Sequence, residues 1–188
     1  MPDDLPVRPL EPAELDPGLL ATLGPRVANR AHDDLPVLFR ILARQPDAYA
    51  RMLEMAAAIE RDLPDPLIQL LCITAAHEQG DDWVRVTHEN LALRMGMAAE
   101  WVRDVRRFDP TTERPTSLSD DERTAQRLCL AVLANRPESG AIIREIAHSH
   151  GDAYAVALLM LIGYYAMGTV VTRVLGLRSP PSELDGRD

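Results

Sequence analysis

Between Asp152 and Arg173 the chain carries no charge at all, running A-Y-A-V-A-L-L-M-L-I-G-Y-Y-A-M-G-T-V-V-T from Ala153 to Thr172. A helix of that composition has no polar face to offer to water, so other helices, another subunit or lipid must cover it along its length. Its length is that of a membrane span. Its tyrosines, threonines and glycines, and the amphipathic remainder of the chain that needs a central partner, argue instead for the middle of a bundle. The segment is read as the central helix of an all-α fold, and no membrane association is expected.

The rest of the chain shows helical periodicity and no strand pattern. Helices are expected at about 14–23, 34–44, 46–62, 65–79, 82–95, 98–108, 119–135, 138–149 and 152–177. Several ends are signalled chemically. Ser119, Asp120, Asp121 and Glu122 form a capping-box sequence that also places three acids on the positive end of a helix dipole. Gly151 follows His148-Ser149-His150 as a C-cap, with Asp152 starting the long helix. Gly80 ends one helix before Asp81 or Asp82 opens the next, and Gly96 closes that one. The linker from Phe108 to Leu118 is the one clear break, and it is too short to divide two domains.

At 188 residues and 46% apolar content, the chain is large enough for a core of its own. Its 15 prolines concentrate at segment ends. The expected organisation is a proline-rich N-terminal segment with a short helix over 1–30, a single helical domain over 31–178 and a disordered tail over 179–188. A formal charge of −9 leaves no basic surface for nucleic acid, and the cluster Arg103 to Arg107 is interrupted by Asp104. Two cysteines without framework spacing, and an amino terminus without an apolar core, predict neither a disulfide scaffold nor a signal peptide and point to the cytoplasm. No zinc-protease, P-loop, dinucleotide or nucleophile-elbow string occurs, so no metal and no cofactor is expected.

The segment Leu67–Met97 reads as two helices joined by a tight polar turn. On the second, Val84, His88, Leu91 and Met95 recur at four, three and four residues, which predicts a buried stripe with His88 in it. A buried imidazole needs partners or a task.

This hairpin resembles the carboxymuconolactone decarboxylase and alkyl hydroperoxidase D-like family. In the peroxidase branch of that family a Glu is followed after eleven residues by C-x-x-C-x-x-x-H, with a glycine eight residues beyond the histidine. Counted from His88, that glycine is Gly96, the glutamate position is Gln69, the cysteine positions are Asp81 and Val84, and the residue before the second cysteine is Trp83. The cysteine-free branch carries a Y-E-W-x-x-H-like string, matched here by Trp83, Val84, Arg85 and His88, of which the first aromatic and the histidine survive in kind. Residues 31–55 and 118–177 also look like the family's lead-in and closing helices. The resemblance implies an alkyl hydroperoxidase D-like bundle of orthogonal helices around the long apolar one. It also implies a homo-oligomer, commonly a dimer, trimer or hexamer, for which the long helix, Trp101 and Phe108 supply surface.

What the family's chemistry requires is only partly present. A two-cysteine peroxidase needs an attacking and a resolving thiol, and Cys72 and Cys129 lie far apart on separate apolar helical stripes. Peroxidase activity by that route is therefore not expected, and both cysteines read first as small buried hydrophobes. Cys72 lies one turn after Gln69 on a helix that should face His88, which keeps it a candidate redox residue. The candidate site comprises Gln69, Cys72, His77, Trp83, Thr87 and His88. His88 would act as general acid toward a carbanion-like carbon, Gln69 would fix the imidazole tautomer without taking a proton, and Arg85 would anchor a substrate carboxylate.

Plainer readings stand beside each assignment. Trp83 is an ordinary core or interface aromatic, Arg85 can pair with Asp81 or Glu89 one turn away, and His77 suits a helix carboxyl end. His148 and His150 straddle a helix end and point different ways. Two functions follow: a cysteine-free decarboxylase-like lyase acting on a small anionic organic substrate, or a catalytically lapsed relative serving as an oligomeric binding or structural protein. The first requires a partly polar pocket that contains His88 and a further proton-carrying or anion-binding group.

Overall fold

In a computed structural model, residues 5–27, 35–109 and 116–185 are described. Among them the protein is all-α: a short 3₁₀ turn at Pro12–Glu14 and nine α-helices, with no strand. In chain order these are α1 (Pro17–Val27), α2 (Val37–Leu42), α3 (Pro46–Glu60), α4 (Asp65–Glu78), α5 (Asp82–Arg94), α6 (Ala99–Val105), α7 (Asp120–Leu133), α8 (Ser139–His150) and α9 (Asp152–Val174). The chain divides into two compact units, Met1–Ala58 with Leu175–Leu177, and Ile59–Val174 with Arg178–Asp188. That partition differs from the division expected at residue 30.

The first unit holds α1, α2 and most of α3 around Leu15, Leu19, Leu23, Leu35, Tyr49 and Leu53. Its leading segment is pinned to α2 through backbone groups. Leu10 N–H donates to the Arg40 carbonyl at 3.1 Å, Arg40 Nε returns a bond to the Leu10 carbonyl at 2.6 Å, and Arg44 Nε reaches the Arg8 carbonyl at 2.7 Å.

The second unit is built around α4. From Leu67 to Ala76 every residue of this helix is buried, and α5, α7 and α9 all pack against it. The central position expected for the long uncharged helix therefore belongs to α4. In α9 the apolar residues divide between two faces. Ala155, Leu158, Leu161, Ile162 and Tyr165 join the core, whereas Val156, Met160, Met167, Val170 and Val174 are exposed. Uncharged sequence says that a helix must be covered; it does not say how much of the cover its own chain supplies.

Chemistry fixes the helix ends. The Ser119 hydroxyl accepts from Glu122 N–H while the Glu122 carboxylate accepts from Ser119 N–H, the reciprocal capping expected from the sequence. Gly80, at φ +67°, makes the left-handed step that ends α4, and Asp81 then accepts from Val84 N–H at 3.0 Å to start α5. The other Asp81 oxygen takes the Thr172 hydroxyl of α9, tying the hairpin turn to the long helix. Asp104 closes the far side of the linker: it accepts from Ser117 N–H at 2.6 Å and from the hydroxyls of Ser117 and Thr116. The segment 179–185, expected as part of a disordered tail, runs along α5. Asn90 donates to the Pro181 carbonyl and accepts from Glu183 N–H, while Leu184 enters the core.

The stripe drawn on α5 needs correction. Val84 is buried and His88 is half-buried, but Leu91 and Met95 are exposed, and the inward positions are instead Val86, Glu89, Asn90, Ala92 and Leu93. The helix is rotated toward two polar residues because each finds partners there. Asn90 binds the C-terminal segment, and Glu89 binds Arg85 at 2.8 Å and Arg106 at 3.5 Å. Two guanidinium partners on one Glu89 oxygen offset part of the penalty that would otherwise turn the carboxylate outward. Trp101 and Phe108 are likewise spent internally, not kept as spare surface. Trp101 is buried and donates from Nε1 to Glu122 at 2.9 Å, and Phe108 stacks on His77 with ring centroids 3.5 Å apart.

Candidate functional site: the His88 cluster

The antiparallel hairpin of α4 and α5 brings Gln69 against His88. His88 Nδ1 lies 2.9 Å from Gln69 Oε1. An amide oxygen only accepts, so Nδ1 carries the proton and Nε2 is left with the lone pair in the neutral ring. Because the same bond survives when Nε2 gains a proton, Gln69 orients the imidazole in both states without taking part in the transfer. Gln69 itself is buried, as a group whose single task is to hold a ring in place should be.

The second neighbour of His88 comes from α9. The Tyr165 ring meets the imidazole edge-on with centroids 5.5 Å apart, and the Tyr165 hydroxyl donates to Glu60 Oε1 at 3.4 Å. Tyr165 also reaches the Cys72 thiol. A phenol backed by a carboxylate thus stands beside an imidazole, with a thiol behind it. Neither Tyr165 nor Glu60 was singled out from the sequence. The one available signal was the need of a tyrosine within an apolar helix for a hydroxyl partner; nothing in the sequence near Glu60 marks it.

Cys72 is completely buried, and burial pushes its thiol well above the ordinary range against the smaller opposing effect of Tyr165. Cys129 is raised in the same way and donates weakly to the Leu71 carbonyl at 3.8 Å. Both are free thiols held in the neutral form, which is neither nucleophilic nor a metal ligand.

Arg85, a further candidate, is engaged on its own helix. Arg85 donates to Glu89 at 2.8 Å and to Asp82 at 2.6 Å, and although burial opposes its charge these bonds hold it firmly protonated. A substrate carboxylate would have to compete with a fully buried glutamate for it. Glu89 Oε2 has no hydrogen-bond partner, so the buried carboxylate is satisfied at one oxygen only. Trp83 is half-buried and packs against the core, and Thr87 is half-buried. His77 lies against Phe108, where burial lowers its proton affinity. His150 pairs with Asp121 at 3.2 Å and stacks on Tyr154. A small cavity of about 40 Å³ adjoins that pair, lined in part by Asp121, Glu145, His150 and Tyr154, and it includes none of Gln69, Cys72, Trp83, Arg85 or His88. No group of three or more metal-ligating side chains occurs among the described residues.

Compared with known proteins, the chain matches no protein-family model and no curated protein sequence.

Proposed function

We propose that the chain is a carboxymuconolactone decarboxylase-like lyase, acting on a small anionic organic substrate with His88 as its proton-carrying group. The observation that carries this reading is the 2.9 Å contact between His88 Nδ1 and Gln69 Oε1. It joins the two positions that correspond to the histidine and the glutamate of the alkyl hydroperoxidase D-like pattern, in an all-helical chain. The carboxylate missing at Gln69 has a substitute in Glu60, set behind the Tyr165 hydroxyl at the imidazole edge.

The chemistry is acid–base. As a substrate carboxylate leaves as carbon dioxide, its bonding electron pair stays on the adjacent carbon, and His88 Nε2–H delivers a proton there. Gln69 keeps Nδ1–H engaged throughout, and His88 recovers its proton from solvent or through Tyr165. No thiol step is needed, in keeping with a Cys72 that burial holds neutral.

A second reading is a family member that has lost catalysis and serves as a binding or structural protein. The amide at Gln69, the engagement of Arg85 by Asp82 and Glu89, and the location of the described cavity away from His88 favour it.

Lactone-acid decarboxylation and thiol-dependent hydroperoxide turnover, measured side by side on wild type, His88→Ala, Tyr165→Phe and Cys72→Ser, separate the readings. The lyase reading expects decarboxylation that falls by a factor of about 10²–10⁴ in His88→Ala and survives in Cys72→Ser. Full turnover in His88→Ala refutes the role of His88, and activity lost with Cys72 alone would mean a one-cysteine peroxidase. Silence from all four proteins supports the lapsed reading.

A further inference from the structure

The outer face of α9 repeats with the period of a helix–helix seam. Val156, Met160, Gly163, Met167, Val170 and Val174 all point outward, at spacings of four, three, four, three and four residues. An alternation of four and three is the spacing of a coiled-coil stripe, which a partner helix crossing at about 20° can follow over its full length. The stripe contains no charge, and Leu159 widens it along one edge.

The area is that of an interface and exceeds what scattered exposure leaves. Val156 is 53% exposed, Met160 47%, Met167 44%, Val170 45%, Val174 70% and Leu159 39%. Together they present about 500 Å² of apolar surface per chain, near the upper limit for a monomer that has nothing to bind. Two such faces bury about 1,000 Å² before any rim contact is counted, which reaches the lower bound for a specific dimer.

We infer that this face of α9 pairs with α9 of a second copy of the chain, antiparallel, about a two-fold axis passing midway between Gly163 and Met167 on the outer face. The spacing reads the same in both directions, so one antiparallel register satisfies every position at once. Val156 meets Val174 of the other copy, Met160 meets Val170, and Gly163 meets Met167. The last pairing explains the glycine. A Cβ built on Gly163 would meet nothing within 4 Å in its own chain, so the notch opens outward, and the flexible side chain of Met167 from the other copy fills it twice by symmetry. Antiparallel order also brings the end of each helix that carries Asp152 alongside the end of the other that carries Arg173, with the helix dipoles opposed. A parallel pair would bring like charges together at each end. The pairing rests on α9 alone and stands or falls independently of the chemistry proposed for His88.

The test uses the full chain at micromolar concentration, in sedimentation experiments and in oxidative cross-linking. Wild type is expected to sediment at twice its 20.8 kDa mass. Gly163→Leu, which blocks the notch for Met167, is expected to shift the protein to monomer while its helical circular dichroism is unchanged. The double variant Met160→Cys/Val170→Cys is expected to cross-link between copies, and each single variant is not, because the antiparallel register leaves like positions about 15 Å apart along the axis. The cross-link carries the test if Gly163→Leu fails to fold. A monomeric wild type, a trimer, a dimer indifferent to Gly163→Leu, or single variants that cross-link as well as the double one would each overturn the pairing. So would a monomer that binds phosphatidylcholine–phosphatidylglycerol vesicles through α9, which would make lipid the occupant of this face.

Discussion

Replacing Gln69 by Glu puts a carboxylate where the amide oxygen now accepts from His88 Nδ1 at 2.9 Å, in a position only 5% exposed. With the charge centres about 4 Å apart, an effective dielectric near 20 gives a gross attraction of about 4 kcal/mol between carboxylate and imidazolium. Desolvation of the buried carboxylate returns much of that, leaving about 1.5–3 kcal/mol, or about 1–2 pH units in the titration of the ring. The sign of the stability change follows from linkage. A histidine whose folded midpoint is raised above the unfolded value of about 6.5 contributes stability that is complete below that pH and is lost as pH rises through the new midpoint. The variant should therefore gain on wild type at pH 5–6 and lose that gain by about pH 9, where the buried carboxylate faces a neutral ring. The assay is a proton NMR titration of the His88 ring resonances in both proteins, paired with thermal melts across the same range. A His88 midpoint unchanged within a few tenths of a pH unit would show that the two side chains are not in contact, and the account of the site would fail with it.

Asp104→Asn removes the charge from an acceptor that holds Ser117 N–H, two hydroxyls and Arg107 at 2.8 Å, and is expected to cost about 2–3 kcal/mol, read as a fall in melting temperature of about 5–10 °C. Burial raises the proton affinity of that carboxyl, but the Ser117, Thr116 and Arg107 contacts overcome it and hold the group below its ordinary 3.8. Its contribution is therefore complete above pH 3.8 and vanishes as the solution is acidified through the folded midpoint, so the gap between variant and wild type should close in acid; a constant gap would contradict the assignment. Cys72 and Cys129, both fully buried and neutral, should react with a thiol reagent only as the protein unfolds, and rapid labelling of either in the native protein would contradict their placement.

Helices were legible wherever local chemistry marks them. The Ser119–Glu122 capping box and the Gly80–Asp81 turn each fix an end through bonds within a few residues, and α4, α5, α7, α8 and α9 lie within two or three residues of where periodicity puts them. What periodicity could not rank is which of two apolar helices is central. The buried run Leu67–Ala76 is shorter than the uncharged run of α9, yet α4 is enclosed on all sides and α9 on one. The inward face of α5 was hidden for a related reason. Besides Arg85 on the same helix, Glu89 and Asn90 find their inward partners in Arg106 and the segment around Pro181 and Glu183, which arrive from other parts of the chain. Within the site, the meeting of Gln69 with His88, at 2.9 Å, is one that the family resemblance implied and that residue periodicity alone does not specify. Tyr165 with Glu60 joins positions far apart in sequence through packing that no local pattern encodes.

The central claim is that His88 presents a lone pair at Nε2 because Gln69 holds the proton at Nδ1. Long-range nitrogen–proton NMR on imidazole-labelled protein, at a pH where the ring is neutral, reports which nitrogen carries the proton. Free histidine prefers the proton on Nε2. A pyrrole-like Nδ1 with a pyridine-like Nε2 in wild type, reverting toward the free preference in Gln69→Ala, is the predicted result; an Nε2–H tautomer in wild type would contradict the geometry on which the proposed function rests.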